Sequence, residues 1–213
     1  MKNVYFISGI DTGIGKTYVT GYLAKLWNEQ GISTITQKLV QTGNVDISED
    51  IEKHREIMGV GFLEEDHSKL TMPEIFSYPA SPHLATQIDS REINFAKIED
   101  ATAQLSAKYQ RVLLEGAGGL MVPLSLNLLS IDYIQAQNFP VILVTSGRLG
   151  SINHTLLSLE ALKNRNIELY ALAYNLCDES QDQLISKDTT EYLRNYLKLD
   201  FPNALWIDIP VIS

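Results

Sequence analysis

The chain has 213 residues, of which 45% are hydrophobic and 20% are charged, so we expect a packed globular core and no extended disorder. The net charge is −9 and no dense basic run is visible, which disfavours binding to nucleic acid or to an anionic membrane. A single cysteine, Cys177, excludes an intrachain disulfide and a cysteine-rich metal site. No apolar run approaches the roughly 20 residues that span a bilayer, and the start lacks a signal-peptide pattern, so we expect a cytoplasmic protein.

Strand-like and helix-like segments alternate along the chain, with no linker or internal repeat. We predict strands at residues 4–7, 33–40, 111–115, 141–144, 168–174 and 205–207. We predict helices at residues 16–30, 48–59, 95–108, 151–165 and 187–197, and an irregular loop at residues 61–82. This order predicts one α/β domain over residues 1–213, with a mainly parallel β-sheet and helices on both faces. Ligands of such sheets bind beyond the carboxyl ends of the strands.

A glycine-rich segment, residues 9–17, connects the first predicted strand to the first predicted helix. It ends in Gly15-Lys16-Thr17, as a Walker A phosphate loop does, but five residues rather than four separate Gly9 from Gly15. Its amides and the helix N-terminus can hold phosphate oxygens, Lys16 can neutralise phosphate charge, and Thr17 can bind Mg²⁺. The alternative is a glycine turn that only caps the helix. The flanking strand and helix favour a P-loop nucleotide site.

Three charged residues lie where carboxyl ends of strands, or the loops after them, are predicted. Glu115 ends a buried strand and precedes a run of glycines, which favours a role as a metal ligand. Asp50 is either a second metal ligand or a first-turn acid that stabilises its helix through the dipole. Lys38 ends an apolar strand and is either a second cation for a phosphoryl group or a lysine that extends its amine to water.

These motifs together resemble the dethiobiotin synthetases, and the matching segments cover nearly the whole chain. The segments are residues 9–17, 38–43 (KLVQTG), 48–50 (SED), 81–83 (SPH), 115–119 (EGAGG), 122–124 (VPL), 150–154 (GSINH) and Asn175. The resemblance implies a reaction in which ATP and CO₂ convert 7,8-diaminononanoate to dethiobiotin, ADP and phosphate. A carbamate of one amine attacks the γ-phosphate of ATP, and the second amine then closes the ring and releases phosphate. Positioning and charge neutralisation suffice for such phosphoryl transfer.

The resemblance also implies roles for individual residues. It implies phosphoryl-transfer roles for Lys16, Lys38 and Thr12, and Mg²⁺ ligation by Thr17, Asp50 and Glu115. It implies nucleotide binding by Gly13, Ile14, Gly15, Lys16, Thr17, Tyr18 and Asn175. It implies substrate binding by Thr12, Lys38, Thr42, Ala117, Gly118, Gly150, Ser151, Ile152 and Asn153.

Members of this family are homodimers, which implies that the amides of residues 150–153 bind the carboxylate of a substrate held by the partner subunit. Three departures from the family pattern are present: Leu39 stands where many relatives have proline, Thr42 stands where a serine is often found, and few residues follow Pro210. Since later residues help hold the base in relatives, we expect a weak preference for ATP over other triphosphates. A KM preference above about a hundredfold, roughly 2.7 kcal/mol, would reject this expectation.

Two other functions remain open from the residues. A partition- or switch-type ATPase would act through protein partners, but the extra early lysine of dimerising members is absent at Ile10, Asp11 and Thr12. The ATP-using half of a cofactor amide synthetase shares the fold, but it usually carries a glutaminase domain with a nucleophilic cysteine. The four histidines show no metal-ligand spacing, and we expect structural hydrogen bonds for His83 and His154.

Overall fold

A parallel β-sheet forms the centre of the computed structural model, which describes residues 3–178 and 182–211. Within those residues the sheet has six strands in the order β10-β9-β8-β1-β5-β2. Its strands are β1 (Val4–Gly9), β2 (Thr34–Lys38), β5 (Arg111–Gly119), β8 (Val141–Ser146), β9 (Leu169–Asn175) and β10 (Leu205–Ile209). Two small pairs accompany it: β3 (Gln41–Thr42) with β4 (Ile75–Phe76), and β6 (Pro123–Ser125) with β7 (Leu128–Leu129).

Helices connect the strands and cover the sheet. They are α1 (Lys16–Glu29), α2 (Glu49–Met58), α3 (Glu64–His67), α4 (Pro82–Ile88), α5 (Phe95–Lys108), α6 (Ser130–Gln137), α7 (Ser151–Asn164) and α8 (Gln183–Asp200), with a 3₁₀ turn at Leu176–Asp178. Among the helices that the structure describes, none combines the length and apolar composition needed to cross a membrane.

The two faces of the sheet bury separate hydrophobic clusters. Successive side chains of a strand point to opposite faces, and in β5 Val112 and Leu114 join one cluster whereas Leu113 joins the other. Buried residues of α5, α6, α7 and α8 complete the first cluster, and buried residues of α1 complete the second. The predicted α/β fold, with a parallel sheet and helices on both faces, is therefore confirmed.

The predicted irregular loop at residues 61–82 was partly wrong, because it contains α3 and β4. The Asp66 carboxylate fixes α3: it accepts hydrogen bonds from the Leu63 amide at 2.7 Å and from Nε and Nη2 of Arg55, both at 2.8 Å. Pro82 begins α4, which suits a residue without an N–H, since the first helical turn leaves its N–H groups unpaired. The strand β4 pairs with β3, a distant partner that a local pattern does not reveal.

Several boundaries also differ from the prediction, and some short elements were missed. The strand expected to end at Glu115 continues to Gly119, where it pairs with Gly9 beside the phosphate loop. The last helix is longer than predicted at both ends and begins after Asp182, whose side chain accepts the Leu184 amide at 2.9 Å. Besides α3 and β4, the missed elements are β3, α4, α6, the hairpin of β6 and β7, and the 3₁₀ turn.

Candidate nucleotide and metal site

The phosphate loop joins β1 to α1 at the carboxyl edge of the sheet. Lys16 is the first residue of α1, and Gly15 precedes it in a left-handed conformation with φ of 95°. The Lys16 side chain is buried, and its Nζ donates to the Asp11 carbonyl at 3.3 Å. From the far side, Nδ2 of Asn175 donates to the Ile14 carbonyl at 2.9 Å. The loop is thus held by two hydrogen bonds, one from its own Lys16 and one from Asn175 at the end of β9.

Thr17, Asp50 and Glu115 converge beside this loop from three separate segments. The Thr17 hydroxyl oxygen lies 2.7 Å from Oδ1 of Asp50 and 3.1 Å from Oε1 of Glu115. The Asp50 backbone is fixed because Ser48 caps α2 by accepting the Ile51 amide at 3.2 Å. Asp50 lies in the first turn of α2, and its carboxylate also contacts Thr17, so both of its predicted roles are compatible with the structure.

Lys38 lies between the two acids. Its Nζ is 2.5 Å from Oδ2 of Asp50, 2.8 Å from Oε1 of Glu115 and 3.3 Å from the Gly116 carbonyl. The register of the sheet places Lys38 directly opposite Glu115 on neighbouring strands. Only 6% of the lysine side chain is exposed, so the alternative of an amine extended to water was wrong.

The charges at this site shift one another's ionisation. Burial would raise the pKa of the Glu115 carboxyl, but Lys38 and His54 outweigh burial and hold that pKa well below its ordinary value. Burial would likewise lower the pKa of the Lys38 ammonium, yet Glu115 and Asp50 raise it above its ordinary value. For Lys16, burial lowers the pKa and the Glu115 carboxylate opposes this effect. Glu115 and Lys38 are therefore both charged at neutral pH.

His54 is a site residue that the sequence analysis missed. Its ring is fully buried on α2, and Nε2 lies 2.8 Å from Oε2 of Glu115. Asp50 and His54 are four residues apart on α2, which places both side chains on one helical face. That spacing was the available sequence signal, but it needed Asp50 to be recognised first.

The chemistry of these donors fits Mg²⁺. Two carboxylates and one hydroxyl, from Asp50, Glu115 and Thr17, are hard oxygen ligands beside a phosphate loop. In residues 3–178 and 182–211, no group of three or more His, Cys, Asp or Glu could hold a metal by itself. Mg²⁺ in nucleotide sites takes only one or two carboxylates from the protein, and phosphate oxygens and water complete its ligands.

A cleft of about 540 Å³ opens next to the phosphate loop. Its lining is mainly apolar and comes from the loop, from the segment after β5 and from α7: Gly9, Ile10, Asp11, Thr12, Gly119, Leu120, Met121, Val122, Leu157, Ser158 and Ala161. Gly118 lies beside the cleft, since a Cβ at this position would be 3.6 Å from the Thr12 hydroxyl. Ala117 precedes it and is partly exposed on β5.

Thr42 lies on a different element from the cleft residues. It is half-buried on β3, next to Gln41, whose Oε1 accepts the Ser48 hydroxyl at 2.6 Å. Because Ser48 is the N-cap of α2, this bond ties Thr42 and its strand to the helix that carries Asp50.

The turn before α7 contains the predicted carboxylate-binding amides. Gly150 is the N-cap residue, with φ of 95° and no side-chain cap; Ile152 is half-buried and Asn153 is exposed. Ser151 is buried: its hydroxyl lies 3.2 Å from that of Ser146, and its amide donates to the Arg148 carbonyl at 3.1 Å. The Ser151 amide is therefore already engaged within the turn.

Tyr18 and Asn175 lie where the end of the described chain meets the phosphate loop. The Tyr18 hydroxyl donates to the Pro210 carbonyl at 2.7 Å. Oδ1 of Asn175 accepts the Cys177 amide at 3.1 Å while its Nδ2 binds the loop. Gly13 is exposed and the Ile14 side chain is fully buried.

Several known proteins are similar to this chain in sequence. Residues 3–201 match the family described as an AAA domain. The ATP-dependent dethiobiotin synthetase BioD 2 of Pasteurella multocida is 51% identical over 213 residues, which is 100% of both chains. The protein of the same name from Haemophilus influenzae is 54% identical over 88% of this chain and 98% of its own length. ATP-dependent dethiobiotin synthetase BioD of Chlorobaculum tepidum is 50% identical over 97% of this chain and 86% of its own.

Among solved structures, a ParA family ATPase from Chlorobium tepidum is similar over 100% of this chain and 86% of its own, with a TM-score of 0.56. Its sequence identity is 14%, so it shows a common fold and nothing about activity. The three sequence relatives are 50–54% identical and cover 88–100% of this chain. On that ground, the chain belongs to the family of ATP-dependent dethiobiotin synthetases.

Proposed function

We propose that this site uses ATP and CO₂ to convert 7,8-diaminononanoate to dethiobiotin, ADP and phosphate. The observation that carries the proposal is the convergence of Thr17, Lys38, Asp50 and Glu115 beside the phosphate loop. The family membership of the chain supplies the identity of the substrates. The reaction is a ligation in which cleavage of ATP to ADP and phosphate drives formation of two C–N bonds.

Lys16 and Lys38 would act in the phosphoryl transfer. One amine of the substrate combines with CO₂ to give a carbamate, whose oxygen attacks the γ-phosphorus of ATP as the bond to ADP breaks. Negative charge spreads over the transferring phosphoryl oxygens, and two buried ammonium groups would stabilise it without reorganising. Burial of both lysines supports this role because charges interact more strongly away from water.

Thr17, Asp50 and Glu115 would hold Mg²⁺. When bound, the ion supplies positive charge to the β- and γ-phosphate oxygens and helps to orient them. The protein side chains contribute three oxygens in a fixed arrangement, since each belongs to a different and well-packed element.

The cleft beside the loop would hold the substrate chain. Ile10, Leu120 and Val122 line it, and they match the apolar alkyl part of a nine-carbon diamino acid. Thr12 and Ala117-Gly118 would contact the amine end, and Thr42 would add a hydroxyl near the carbamate. Holding both amines near the activated carbon favours ring closure, since effective molarities of well-oriented groups reach about 10⁵ M or more.

A second copy of the chain would complete this cleft. Met121 and Leu157 line it and are 54% and 63% exposed, which is unusual for large apolar side chains next to a binding site. In a homodimer the amides of Gly150, Ile152 and Asn153 would bind the substrate carboxylate held by the other subunit, whereas the Ser151 amide already donates to the Arg148 carbonyl. The N-terminus of α7 favours a carboxylate through its dipole.

Tyr18 and Asn175 would contact the nucleotide, with Asn175 near the base. The weak base preference and the cytoplasmic location expected from the sequence stay predictions.

Phosphate release tests the proposed function. With ATP, Mg²⁺ and bicarbonate, we expect release to depend on 7,8-diaminononanoate and dethiobiotin to be detected by mass in equal amount. Phosphate release that continues unchanged without the diamine, with no dethiobiotin formed, would reject this proposal and favour a switch-type ATPase.

A further inference from the structure

His54 is a fully buried polar side chain that no step of the proposed reaction uses. Its Nε2 lies 2.8 Å from Oε2 of Glu115. The Lys38 ammonium lies 2.8 Å from the other oxygen, Oε1, so this carboxylate is already paired with a cation and can only accept hydrogen bonds. The histidine is therefore the donor, and Nε2 carries the proton.

The other ring nitrogen of His54, Nδ1, is buried in an unfavourable environment. Within the described part of the chain, Nδ1 of His54 is buried and has no hydrogen-bond partner. A buried polar atom without a partner disfavours folding, and an apolar side chain of similar size would avoid that cost. Among the described residues, the bond to Glu115 is thus the one hydrogen bond that the ring makes.

The position of His54 is tightly constrained by its helix. At Gly21 of α1, an added Cβ would lie 3.3 Å from the His54 Cα and 3.1 Å from the Ile57 side chain. The helices α1 and α2 therefore approach closely, and the backbone of His54 has little room to move.

The two oxygens of Glu115 face different partners. Oε1 faces Thr17 and Lys38, at 3.1 and 2.8 Å, and Oε2 faces His54. A carboxylate free to rotate could exchange these oxygens or bind a metal through both of them. With Oε2 bound to a fixed donor, only Oε1 is presented to the phosphate loop.

We infer that His54 is a positioning residue for the metal site: its Nε2–H holds Oε2 of Glu115 so that Oε1 faces the bound Mg²⁺. The inference rests on the metal site in the proposed function. The helix α2 would then serve the metal site twice: Asp50 binds the metal directly, and His54, one turn later, orients Glu115. Donors of this kind typically change metal affinity by about 10- to 100-fold when removed.

Mn²⁺ binding measured by electron paramagnetic resonance tests this role without relying on turnover. The measurement uses the whole protein with a non-hydrolysable ATP analogue, and Mn²⁺ stands in for Mg²⁺. We expect His54→Leu to weaken Mn²⁺ binding by about 10- to 100-fold. We expect His54→Gln, whose amide can still donate to Glu115, to recover most of that loss. Ile51→Val, a packing change on the same helix, should leave Mn²⁺ affinity within twofold of the wild-type value.

Equal Mn²⁺ affinity in folded His54→Leu and wild-type protein would overturn the inference, whether or not the wild type forms dethiobiotin. Weaker binding in His54→Leu that His54→Gln fails to recover would also overturn it. If His54→Leu does not fold, long-range ¹H–¹⁵N spectra of the wild type test the inference by showing which ring nitrogen of His54 carries the proton. The His54 signals, assigned by their loss in His54→Gln, must show the proton on Nε2, and a proton on Nδ1 alone would contradict the inference. Failure of the wild type to form dethiobiotin, with the His54 effect intact, would reject only the proposed substrates.

Discussion

At the scale of single residues, Lys38 explains how two acids can lie together in a buried site. Glu115 is fully buried and Asp50 is only partly exposed, and such a pair of like charges needs a cation between them. The lysine was identifiable from the sequence as a charge at the end of an apolar strand. Its contact with Glu115 was not predictable from spacing, because the two residues are 77 positions apart.

Lys38→Met should therefore destabilise the protein and abolish phosphoryl transfer. Removing one partner of a buried ion pair leaves the remaining charge without compensation, which costs about 3–5 kcal/mol. Urea unfolding measures the loss. Lys53→Met is the control, since Lys53 pairs with Glu56 on the exposed side of α2 and its removal should cost about 0.5 kcal/mol or less. Equal losses in the two variants would show that Lys38 does not compensate the acids.

Gly15 connects backbone conformation to nucleotide binding. A Cβ at Gly15 would collide with the Asn175 amide, whereas nothing lies within 4 Å of a Cβ at Gly31. Both glycines have left-handed φ values, 95° and 81°, so alanine at either position costs about 1–2 kcal/mol of backbone strain. We predict that Gly15→Ala loses ATP binding in calorimetric titration, while Gly31→Ala, which has the backbone strain without the collision, retains it. Retained ATP binding in Gly15→Ala would contradict the assigned contact between the loop and β9.

At the scale of elements, the predictions succeeded where the pattern is local and failed where the partner is distant. The apolar runs of β1, β5 and β8 and the capping serine of α2 were readable from the sequence. In contrast, α3 depends on the buried pair of Arg55 and Asp66, and β4 depends on β3. Neither contact leaves a periodic pattern within its own segment.

The Arg55–Asp66 pair predicts a defined pH dependence. Burial alone would raise the pKa of Asp66, but Arg55 holds it below its ordinary value. In the unfolded chain Asp66 therefore binds a proton at a higher pH, at its ordinary pKa of about 3.9. The stability that the ionised carboxylate contributes is fully present above that pH. It is lost as the pH falls through the pKa of Asp66 in the folded protein. We expect unfolding free energy to fall more between pH 5 and pH 3 in wild type than in Asp66→Asn.

Asp66→Asn should also be less stable at pH 7, by about 3–5 kcal/mol, because Arg55 then lacks its buried partner. The control is Asp46→Asn, whose carboxylate is exposed and paired with Lys69. Its pH profile should follow the wild type. A profile of Asp66→Asn that runs parallel to the wild type would show that this pair does not contribute to acid stability.

At the scale of the whole molecule, the order of strands assembles the site. Because β5 lies between β1 and β2, the phosphate loop, Glu115 and Lys38 meet at one edge. The rule that ligands bind at the carboxyl ends of strands predicted a site at this edge. It could not predict which strands are neighbours. It also could not show that α2 would pack against α1 closely enough to bring in Asp50 and His54.

The central claim is that a carbamate of the diamine attacks the γ-phosphate at this site. The carbamate oxygen then becomes the bridge to phosphorus, and ring closure at carbon expels phosphate with that oxygen. Rapid mixing of enzyme, ATP, Mg²⁺ and 7,8-diaminononanoate with freshly generated C¹⁸O₂ should therefore give phosphate carrying one ¹⁸O, measured by mass spectrometry before CO₂ exchanges with water. Unlabelled phosphate formed at the same rate would mean that water attacks instead, and would contradict the account.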